Sequence, residues 1–341
     1  MSRPTSTPNP RPLRRTGRPA VLAAVAAATL VSAASASAAT APVTVQEPLQ
    51  PAAPGTVLAS VGNGRQAWIV QADGAPPVLW TLRDGAAAQV ATLPGPSSAQ
   101  VQQLEVGTAK DGTPVAAVRA GLADGGSTLR LVRLDTGAVR TISSTRRGLR
   151  IGGVGLDAGR LYYTLHAAKT TSRSTSSLWR ATLTGTSIGR ATKLRDSRRG
   201  EAWDEVVADR NRVAVETTRP VSDGTGVYAR AEWAFGTPRG SWNRTGLVLE
   251  NDGEFSPVAA AGFTHDRSAL VTYQGGFPDG PRAVRTPIRR GKVGTVTAAS
   301  PADDTGLALA PALDPATGRL LTRGTDASGT VSIGWTAPLF P

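Results

Sequence analysis

The feature that most constrains this chain is a repeat of about 50 residues. Six segments share an alternating strand that ends in an apolar residue, and the first five of them run into a glycine turn. The terminal apolar residues are Leu82, Leu134, Leu183, Phe235, Ile288 and Leu339. A fixed period of this length is typical of repeat architectures, in which each unit buries its apolar faces against its neighbours.

Each period divides into four short strands. In the second unit these are VQQLEVGTA (101–109), PVAAVRAG (114–121), TLRLVRLD (128–135) and AVRTISST (138–145), with Gly and Asp in the turns between them. No segment after residue 38 shows a sustained helical period of apolar residues. The pattern predicts an all-β fold, a six-bladed β-propeller of four-stranded antiparallel blades.

The ends of the chain predict how the ring of blades closes. The last unit stops after its third strand, whereas a spare strand at 42–49 precedes the first unit. We expect this N-terminal strand to complete the last blade, which would leave only short sheet edges. The predicted divisions are a closing strand with its linker at 39–54 and blades at about 55–96, 97–146, 147–198, 199–252, 253–301 and 302–341.

Residues 1–38 have the composition of a targeting segment. Five arginines precede the apolar stretch 20–31, and the small residues after it offer two A-x-A cleavage sites. The apolar stretch is too short for the hydrocarbon core of a bilayer, which requires about 20 residues. We predict a cleaved signal peptide, a secreted or extracytoplasmic protein and no stable transmembrane anchor. The sequence leaves the Sec and twin-arginine routes open.

Composition narrows the partners. The chain contains no cysteine, which excludes disulfides and thiolate metal sites, and its formal net charge is +13. A basic protein outside the membrane attracts anionic wall polymers and glycans over long distances. The predicted partner is therefore an anionic wall polymer, a glycan or an envelope protein, rather than nucleic acid, and we expect a monomer.

Two kinds of segment resemble the TolB-type six-bladed propeller family. VGLDAGRLYYTLHAAK (154–169) and PALDPATGRLLTRG (311–324) carry an Asp, a Gly-Arg turn and an apolar strand, and SSLWRATLTG (176–185) resembles the later strand of a unit. The family includes envelope protein-interaction modules and the propeller domains of peptidases. The resemblance therefore implies a fold and no single activity.

The sequence contains no recognisable catalytic motif. The S-x-x-K pattern and the P-loop are absent, and the two histidines, His166 and His265, lack the spacing of metal ligands. The single G-x-S-x-G match, at 185–189, lies between two alternating strands rather than between a strand and a helix, which the nucleophile motif requires. We therefore assign no catalytic residue, metal or cofactor, and favour a protein that is not an enzyme.

Charged residues cluster in the connectors of one predicted face. In a four-stranded blade the loops after the second and fourth strands emerge together, and the connectors entering blades 3 and 4 are basic, whereas those entering blades 5 and 6 are acidic. Such a face could orient an anionic or zwitterionic partner. The alternative is ordinary turn chemistry with solvated charges. The basic connectors contain Arg146, Arg147, Arg150, Arg195, Arg198 and Arg199, and the acidic ones Glu250, Asp252, Glu254, Asp303 and Asp304.

The segment RRGEAWDEVV (198–207) is the densest polar and aromatic cluster, at the entry to the innermost strand of blade 4. We predict an exported non-catalytic binding or scaffolding module of the envelope or extracellular space. The alternative is a propeller-fold glycan hydrolase or lyase that uses channel carboxylates, although alternation points Asp204 and Glu205 to opposite sides of the strand. The predicted ligand-binding residues are Arg146, Arg147, Arg198, Arg199, Glu201, Trp203 and Asp204.

Overall fold

The computed structural model describes eleven stretches of the chain, and these form β-strands and turns without an α-helix. No helix in these stretches is long and apolar enough to cross a bilayer. The stretches are residues 44–52, 55–94, 100–122, 126–143, 149–167, 173–222, 227–244, 258–274, 282–287, 296–299 and 309–338.

The described strands form six sheets, each built around an antiparallel meander of neighbouring strands. Blade 1 contains β2 (Thr56–Gly62), β3 (Arg65–Gln71), β4 (Val78–Arg83) and β5 (Ala86–Thr92). Blade 2 contains β6 (Gln100–Thr108), β7 (Pro114–Gly121), β8 (Ser127–Arg133) and β9 (Val139–Ser143). Blade 3 contains β10 (Leu149–Asp157), β11 (Arg160–Ala167), β12 (Ser177–Thr184), β13 (Ser187–Ile188) and β14 (Thr192–Asp196).

The second half of the chain continues the same order. Blade 4 contains β15 (Ala202–Asp209), β16 (Arg212–Ser222), β17 (Val227–Gly236) and β18 (Trp242–Arg244). Blade 5 contains β19 (Val258–Phe263), β20 (Ala269–Gln274), β21 (Arg282–Pro287) and β22 (Val296–Ala299). Blade 6 contains β24 (Ala312–Asp314), β25 (Arg319–Thr325), β26 (Val331–Trp335) and β1 (Glu47–Pro51), while β23 (Leu309–Ala310) pairs with β2 in parallel.

The N-terminal strand closes the last blade, as the sequence predicts. Strand β1 pairs antiparallel with β26, with Glu47 opposite Trp335 and Pro51 opposite Ser332. An ion pair of 3.0 Å between Arg319 Nη1 and Glu47 Oε2 adds to this contact. The strand begins at Glu47, so it overlaps only the end of the predicted stretch 42–49. The fold is a six-bladed β-propeller.

Apolar side chains pack between neighbouring blades rather than in one central core. The cluster between blades 2 and 3, for example, joins Val115 and Leu131 to Val154 and Leu161. Equivalent clusters lie between blades 1 and 2, 3 and 4, 4 and 5, and 6 and 1. Because each sheet packs against a blade on either side, its strands carry apolar residues on both faces.

A β-bulge interrupts the innermost strand of blades 2 to 5. The register shifts lie between residues 101 and 103, 151 and 154, 203 and 206, and 260 and 262. In blade 3 the bulge consists of Gly152 and Gly153. A Cβ at Gly152 would overlap the Trp203 carbonyl oxygen, and one at Gly153 would lie 2.6 Å from the Glu205 carbonyl carbon. Glycine is therefore required where blade 4 packs closely against blade 3.

Candidate functional site

A cavity of about 320 Å³ opens between blades 2, 3 and 4. Its residues lie where the innermost strands begin and the second strands end, which is the face that receives the blade-to-blade connectors. We call this the loop face and the space the loop-face cavity. Its lining comprises Gln102, Arg119, Gly121, Leu122, Gly126, Ser127, Arg150, Ile151, His166 and Asp204.

Two arginine side chains that have buried N–H donors line the loop-face cavity. Arg119 lies near the end of β7 and Arg150 near the start of β10. The Nε–H groups of both side chains are buried, and neither has a hydrogen-bond partner among the described residues. Arg130 also has buried N–H groups without a described partner, but it lines no described cavity. A buried donor without a partner is costly, so Arg119 and Arg150 are prepared for an acceptor.

His166 and Asp204 bring a second kind of chemistry to the same space. His166 Nε2 lies 3.7 Å from Asp204 Oδ1, beyond hydrogen-bond distance, and His166 Nδ1 lies 3.2 Å from the Ala167 carbonyl oxygen. The other carboxylate oxygen, Asp204 Oδ2, accepts a hydrogen bond of 2.6 Å from Thr218 Oγ1. One oxygen of Asp204 thus keeps acceptor capacity toward the cavity.

Burial and the two arginines keep His166 neutral. Burial lowers the pKa of His166, the Asp204 carboxylate opposes this, and the charges of Arg119 and Arg150 lower the pKa further. The imidazole is therefore uncharged at neutral pH and can both donate and accept hydrogen bonds.

Carboxylates surround Arg119 from blade 4. Burial lowers the pKa of Arg119, while the charges of Asp204, Glu205 and Glu216 raise it. Glu216 responds in the opposite sense, because burial first and the charges of Glu205 and Asp204 next raise its pKa well above the usual range. The positive charge of Arg119 is thus partly balanced by neighbouring acids before any ligand arrives.

The central channel forms a second, smaller space of about 110 Å³. Innermost-strand residues from all six blades and the turns after them line it, and its acidic members are Glu105, Asp157, Glu205 and Asp209. Burial raises the pKa of Asp209, and the Asp157 carboxylate accepts a 3.1 Å hydrogen bond from the Asn211 backbone N–H. Gln102 lines both spaces, so the channel and the loop-face cavity adjoin there.

One buried amide ties three innermost strands together beside the channel. Gln103 Nε2 donates to the carbonyl oxygens of Val154 at 2.7 Å and Val206 at 2.9 Å, and its Oε1 accepts from Val154 N–H at 2.9 Å. Gln103 Nε2 also lies 3.5 Å from Glu105 Oε1. Burial raises the pKa of Glu105 to about 8, against the weaker opposite effect of the Gln103 hydrogen bond. Glu105 therefore carries its proton at neutral pH.

Two adjacent carboxylates in the bulge of β15 line different spaces. Asp204 lines the loop-face cavity and Glu205 lines the channel, on either side of the same strand. Among the described residues no group of three or more His, Asp or Glu side chains could hold a metal ion. The two carboxylates do not face a common cavity, contrary to what a paired acid and base on this strand would require.

The structure separates the residues that the sequence proposes for ligand binding. Asp204 lines the loop-face cavity, and Arg198 and Arg199 are exposed in the turn before β15. Glu201 is 2% exposed and accepts hydrogen bonds from Arg244 Nη2 at 2.9 Å and from the Arg198 N–H at 3.2 Å.

Trp203 is buried as well. It stacks on Trp242 with ring centroids 5.7 Å apart, and the Arg195 guanidinium lies 4.7 Å from the Trp242 centroid on the same stack. The tryptophan pair thus belongs to the packing of blade 4 and its neighbour. Arg146 and Arg147 lie outside the described residues, as do the acidic connectors of the later blades.

The sequence gives no indication that Arg119 lines the cavity. Arg119 occurs in PVAAVRAG, where it looks like one exposed position of an alternating strand. The available signal is the Gly152-Gly153 pair in the middle of a strand, which marks a bulge and a close approach of two backbones. Nothing in the sequence alone joins His166 and Arg150 to Asp204.

The sequence matches no protein-family model, and no curated protein matches it. Solved structures do resemble the fold. A mutant of AofleA from Arthrobotrys oligospora superposes with a TM-score of 0.51 at 10% identity, covering 87% of this chain and 89% of that one.

Two further structures are less similar. A mutant Aleuria aurantia lectin in complex with Fucα1-6GlcNAc has a TM-score of 0.47 at 11% identity, covering 86% of this chain and 99% of that one. An oligogalacturonate lyase from Vibrio parahaemolyticus has a TM-score of 0.43 at 11% identity, covering 84% and 72%. At these identities the likeness is one of propeller fold alone, and the TolB-type resemblance stays a prediction.

Proposed function

We propose that this chain is an exported β-propeller module of the cell envelope or extracellular space that binds anionic glycans or wall polymers without catalysing a reaction. The loop-face cavity is the proposed site. The observation that carries the proposal is that Arg119 and Arg150 both line this cavity and that the buried Nε–H group of each has no partner in the described part of the chain.

Size supports the same choice of space. Small-molecule sites usually occupy about 300–1,000 Å³, and the loop-face cavity measures about 320 Å³. The channel, at about 110 Å³, is about a third of that size. A ligand that enters from the loop face would therefore meet Arg119, Arg150 and Asp204 before the channel acids.

Charge around the entrance supports an anionic ligand of extended length. Arg198 and Arg199 are exposed in the connector that enters blade 4. We assign them to the rim, where they would attract a polyanion over a distance without holding it in place. Glu201 and Trp203 would act from beneath, by fixing this connector and the start of β15.

Binding to purified polymers tests the proposal. Isothermal titration with phosphate-rich wall polymers and with carboxylated polysaccharides would compare the wild type with Arg119→Gln/Arg150→Gln. Charge-assisted hydrogen bonds contribute about 1.5–3 kcal/mol each, so the double variant should bind at least about 100-fold more weakly.

A matched control removes two arginines elsewhere. Arg180 and Arg239 line a separate surface cavity with Asn211 and Thr237. Arg180→Gln/Arg239→Gln makes the same change in charge and should leave affinity within about threefold. Equal losses in both double variants would reduce the effect to net charge, and an absence of binding by the wild type would contradict the proposal.

A glycan hydrolase or lyase is a second candidate, supported by one observation. The pKa of Glu105 is raised to about 8, and Glu105 lines the channel together with Glu205. A protonated carboxyl group and a second carboxyl group therefore line one space. Release of reducing ends or unsaturated products from acidic polysaccharides, lost in both Glu105→Gln and Glu205→Gln, would support it. Unchanged polysaccharide after prolonged incubation with the wild type would contradict it.

A further inference from the structure

The loop-face cavity contains charges of both signs, and this balance narrows the ligand class within the proposed function, on which the inference rests. Arg119 and Arg150 contribute two positive charges and Asp204 one negative charge, while His166 is neutral. The lining therefore carries a surplus of one positive charge. Glu205, which lines the channel, also acts on Arg119 and offsets part of this surplus. A ligand group with a single negative charge matches this lining.

A dianion fits the lining less well. A phosphate monoester would bring about two negative charges into a space that Asp204 already shares. Guanidinium groups bind carboxylates as readily as phosphates, through two donors in one plane. Like-charge contact with Asp204 therefore selects the carboxylate.

Asp204 requires a neutral donor beside that carboxylate. Its Oδ2 is occupied by Thr218 Oγ1, whereas Oδ1 lies beyond hydrogen-bond distance from His166 Nε2. An ammonium group at this position would be repelled by both arginines, and a zwitterion would leave the surplus positive charge uncompensated. A hydroxyl group satisfies the oxygen without either cost.

The remaining polar lining suits further hydroxyls. The Gln102 amide offers a donor and an acceptor, and the neutral imidazole of His166 can do the same. A ligand that presents one carboxylate and several hydroxyls to a small cavity is an acidic sugar.

We infer that the loop-face cavity binds a carboxylated sugar residue, with its carboxylate on Arg119 and Arg150 and a neighbouring hydroxyl donating to Asp204. Asp204 is then a specificity-determining residue. It rejects phosphorylated ligands and accepts the hydroxyl of a uronic acid.

Matched small probes test the inference by titration calorimetry. The probes are the methyl glycosides of glucuronate and galacturonate, the methyl glycosides of glucose and galactose, glucose 6-phosphate, and D-alanine as a zwitterion. We expect at least one uronate to bind at least tenfold more tightly than its neutral sugar, glucose 6-phosphate and the amino acid. Tighter binding of glucose 6-phosphate or D-alanine would overturn the inference.

The isosteric variant Asp204→Asn separates the two roles within the site. It should weaken uronate binding about tenfold, because a neutral amide is a weaker acceptor for the sugar hydroxyl than a carboxylate. It should also bring glucose 6-phosphate to within threefold of the uronate, because the charge that repels the dianion is gone. Asp135→Asn is the control, since Asp135 is exposed and pairs with Arg133 in a turn outside the cavity lining. An unchanged preference in Asp204→Asn would overturn the inference.

Failure of the inference and failure of the proposed function remain distinguishable. If phosphate-rich polymers bind through Arg119 and Arg150 while uronates do not, the anionic-ligand function stands and the carboxylated-sugar inference falls. If neither class of anion binds the wild type, both are contradicted.

Discussion

The loop-face cavity and the channel adjoin at Gln102, yet their polar groups differ in charge and in hydrogen bonding. The channel contains the Gln103 amide, which makes three hydrogen bonds to the backbones of neighbouring blades, and Glu105, which burial keeps protonated. The loop-face cavity contains charged guanidinium groups whose Nε–H donors have no described partner. Burial alone does not distinguish a binding site from structural polar packing, and an unsatisfied donor on a residue that lines open space marks a candidate site.

The two spaces are separated by one strand of blade 4. Asp204 lines the cavity and Glu205 lines the channel, both within the bulge of β15, and two glycines of blade 3 allow this bulge to approach closely. Thr164 Oγ1 secures this contact, because it accepts from Gly153 N–H at 2.7 Å and donates to the Trp203 carbonyl oxygen at 2.8 Å. Changes to this part of β15 or to the two glycines should affect both spaces, whereas a change within one space should leave the other intact.

The largest effect is expected from filling the glycine bulge. Gly152→Ala places a methyl group against the Trp203 carbonyl oxygen, so blade 4 must shift. Overpacking of this kind costs about 3 kcal/mol in the free energy of unfolding, and it should also weaken binding of anionic ligands. Urea unfolding measures the loss. Gly189→Ala is the control, because its Cβ would lie 3.4 Å from the nearest atom. Equal stability of both variants would show that blade 4 can shift at this contact without loss of stability.

A smaller effect should separate the two spaces by function. Arg119→Gln removes one charged donor from the loop-face cavity and should weaken binding of an anionic polysaccharide about 10- to 30-fold, roughly 1.4–2 kcal/mol. Glu105→Gln changes the channel with little change in shape and should leave affinity within twofold. Titration calorimetry at pH 7 compares them. A larger loss in Glu105→Gln would move the site from the cavity to the channel.

The free energy of unfolding should vary with pH because of Glu105 in the channel. The pKa of Glu105 is about 8 in the folded protein, above its ordinary value of 4.5, so the folded state binds the extra proton between these values. This contribution to the free energy of unfolding is fully present below pH 4.5 and is lost as pH rises toward 8, by about 1.4 kcal/mol per pH unit.

Urea unfolding between pH 5 and 8 would measure that slope. Glu105→Gln should reduce it and be relatively more stable at pH 8, with part of the slope remaining because the pKa of Glu216 is raised in the same direction. Identical slopes in the wild type and Glu105→Gln would contradict the protonated state of the channel acid.

The smallest effect is expected at the rim. Arg198→Glu/Arg199→Glu should lower affinity for a polyanion about threefold at low ionic strength, and the difference should vanish as salt is raised, since exposed charges act over about 8–10 Å under ordinary screening. Association rates measured at two salt concentrations would report this. A loss that persists at high salt would show that the rim arginines contact the ligand directly.

Much of the fold could be predicted because its signal is periodic. Alternating strands, glycine turns and the 50-residue spacing specify blades, and the spare N-terminal strand specifies how the ring closes. The predicted boundary is less accurate, because PVTVQEPL alternates from residue 42 whereas pairing with β26 begins at Glu47. Alternation indicates extended backbone but not which of its residues a distant strand will meet.

The site was harder to predict because it depends on neighbours across blades. Arg119 and Asp204 are 85 positions apart in the sequence, and only the packing of β7, β10 and β15 brings them to one cavity. Glu201 and Trp203 stand out in the sequence for their density of polar and aromatic neighbours, yet an ion pair with Arg244 and a stack on Trp242 bury them. Local composition does not reveal which polar side chains the fold will satisfy.

The pairing of β1 with β26 also has a kinetic consequence. The Arg319–Glu47 contact joins residues 272 positions apart, so the sixth blade lacks its outer strand until the two ends of the ring meet. The entropy of closing so long a loop is lost before the pairing contributes, which makes this step slow relative to the assembly of hairpins within one blade. Until it is complete, the exposed edge of β26 can pair with another chain, so the ring is most prone to aggregation just before closure.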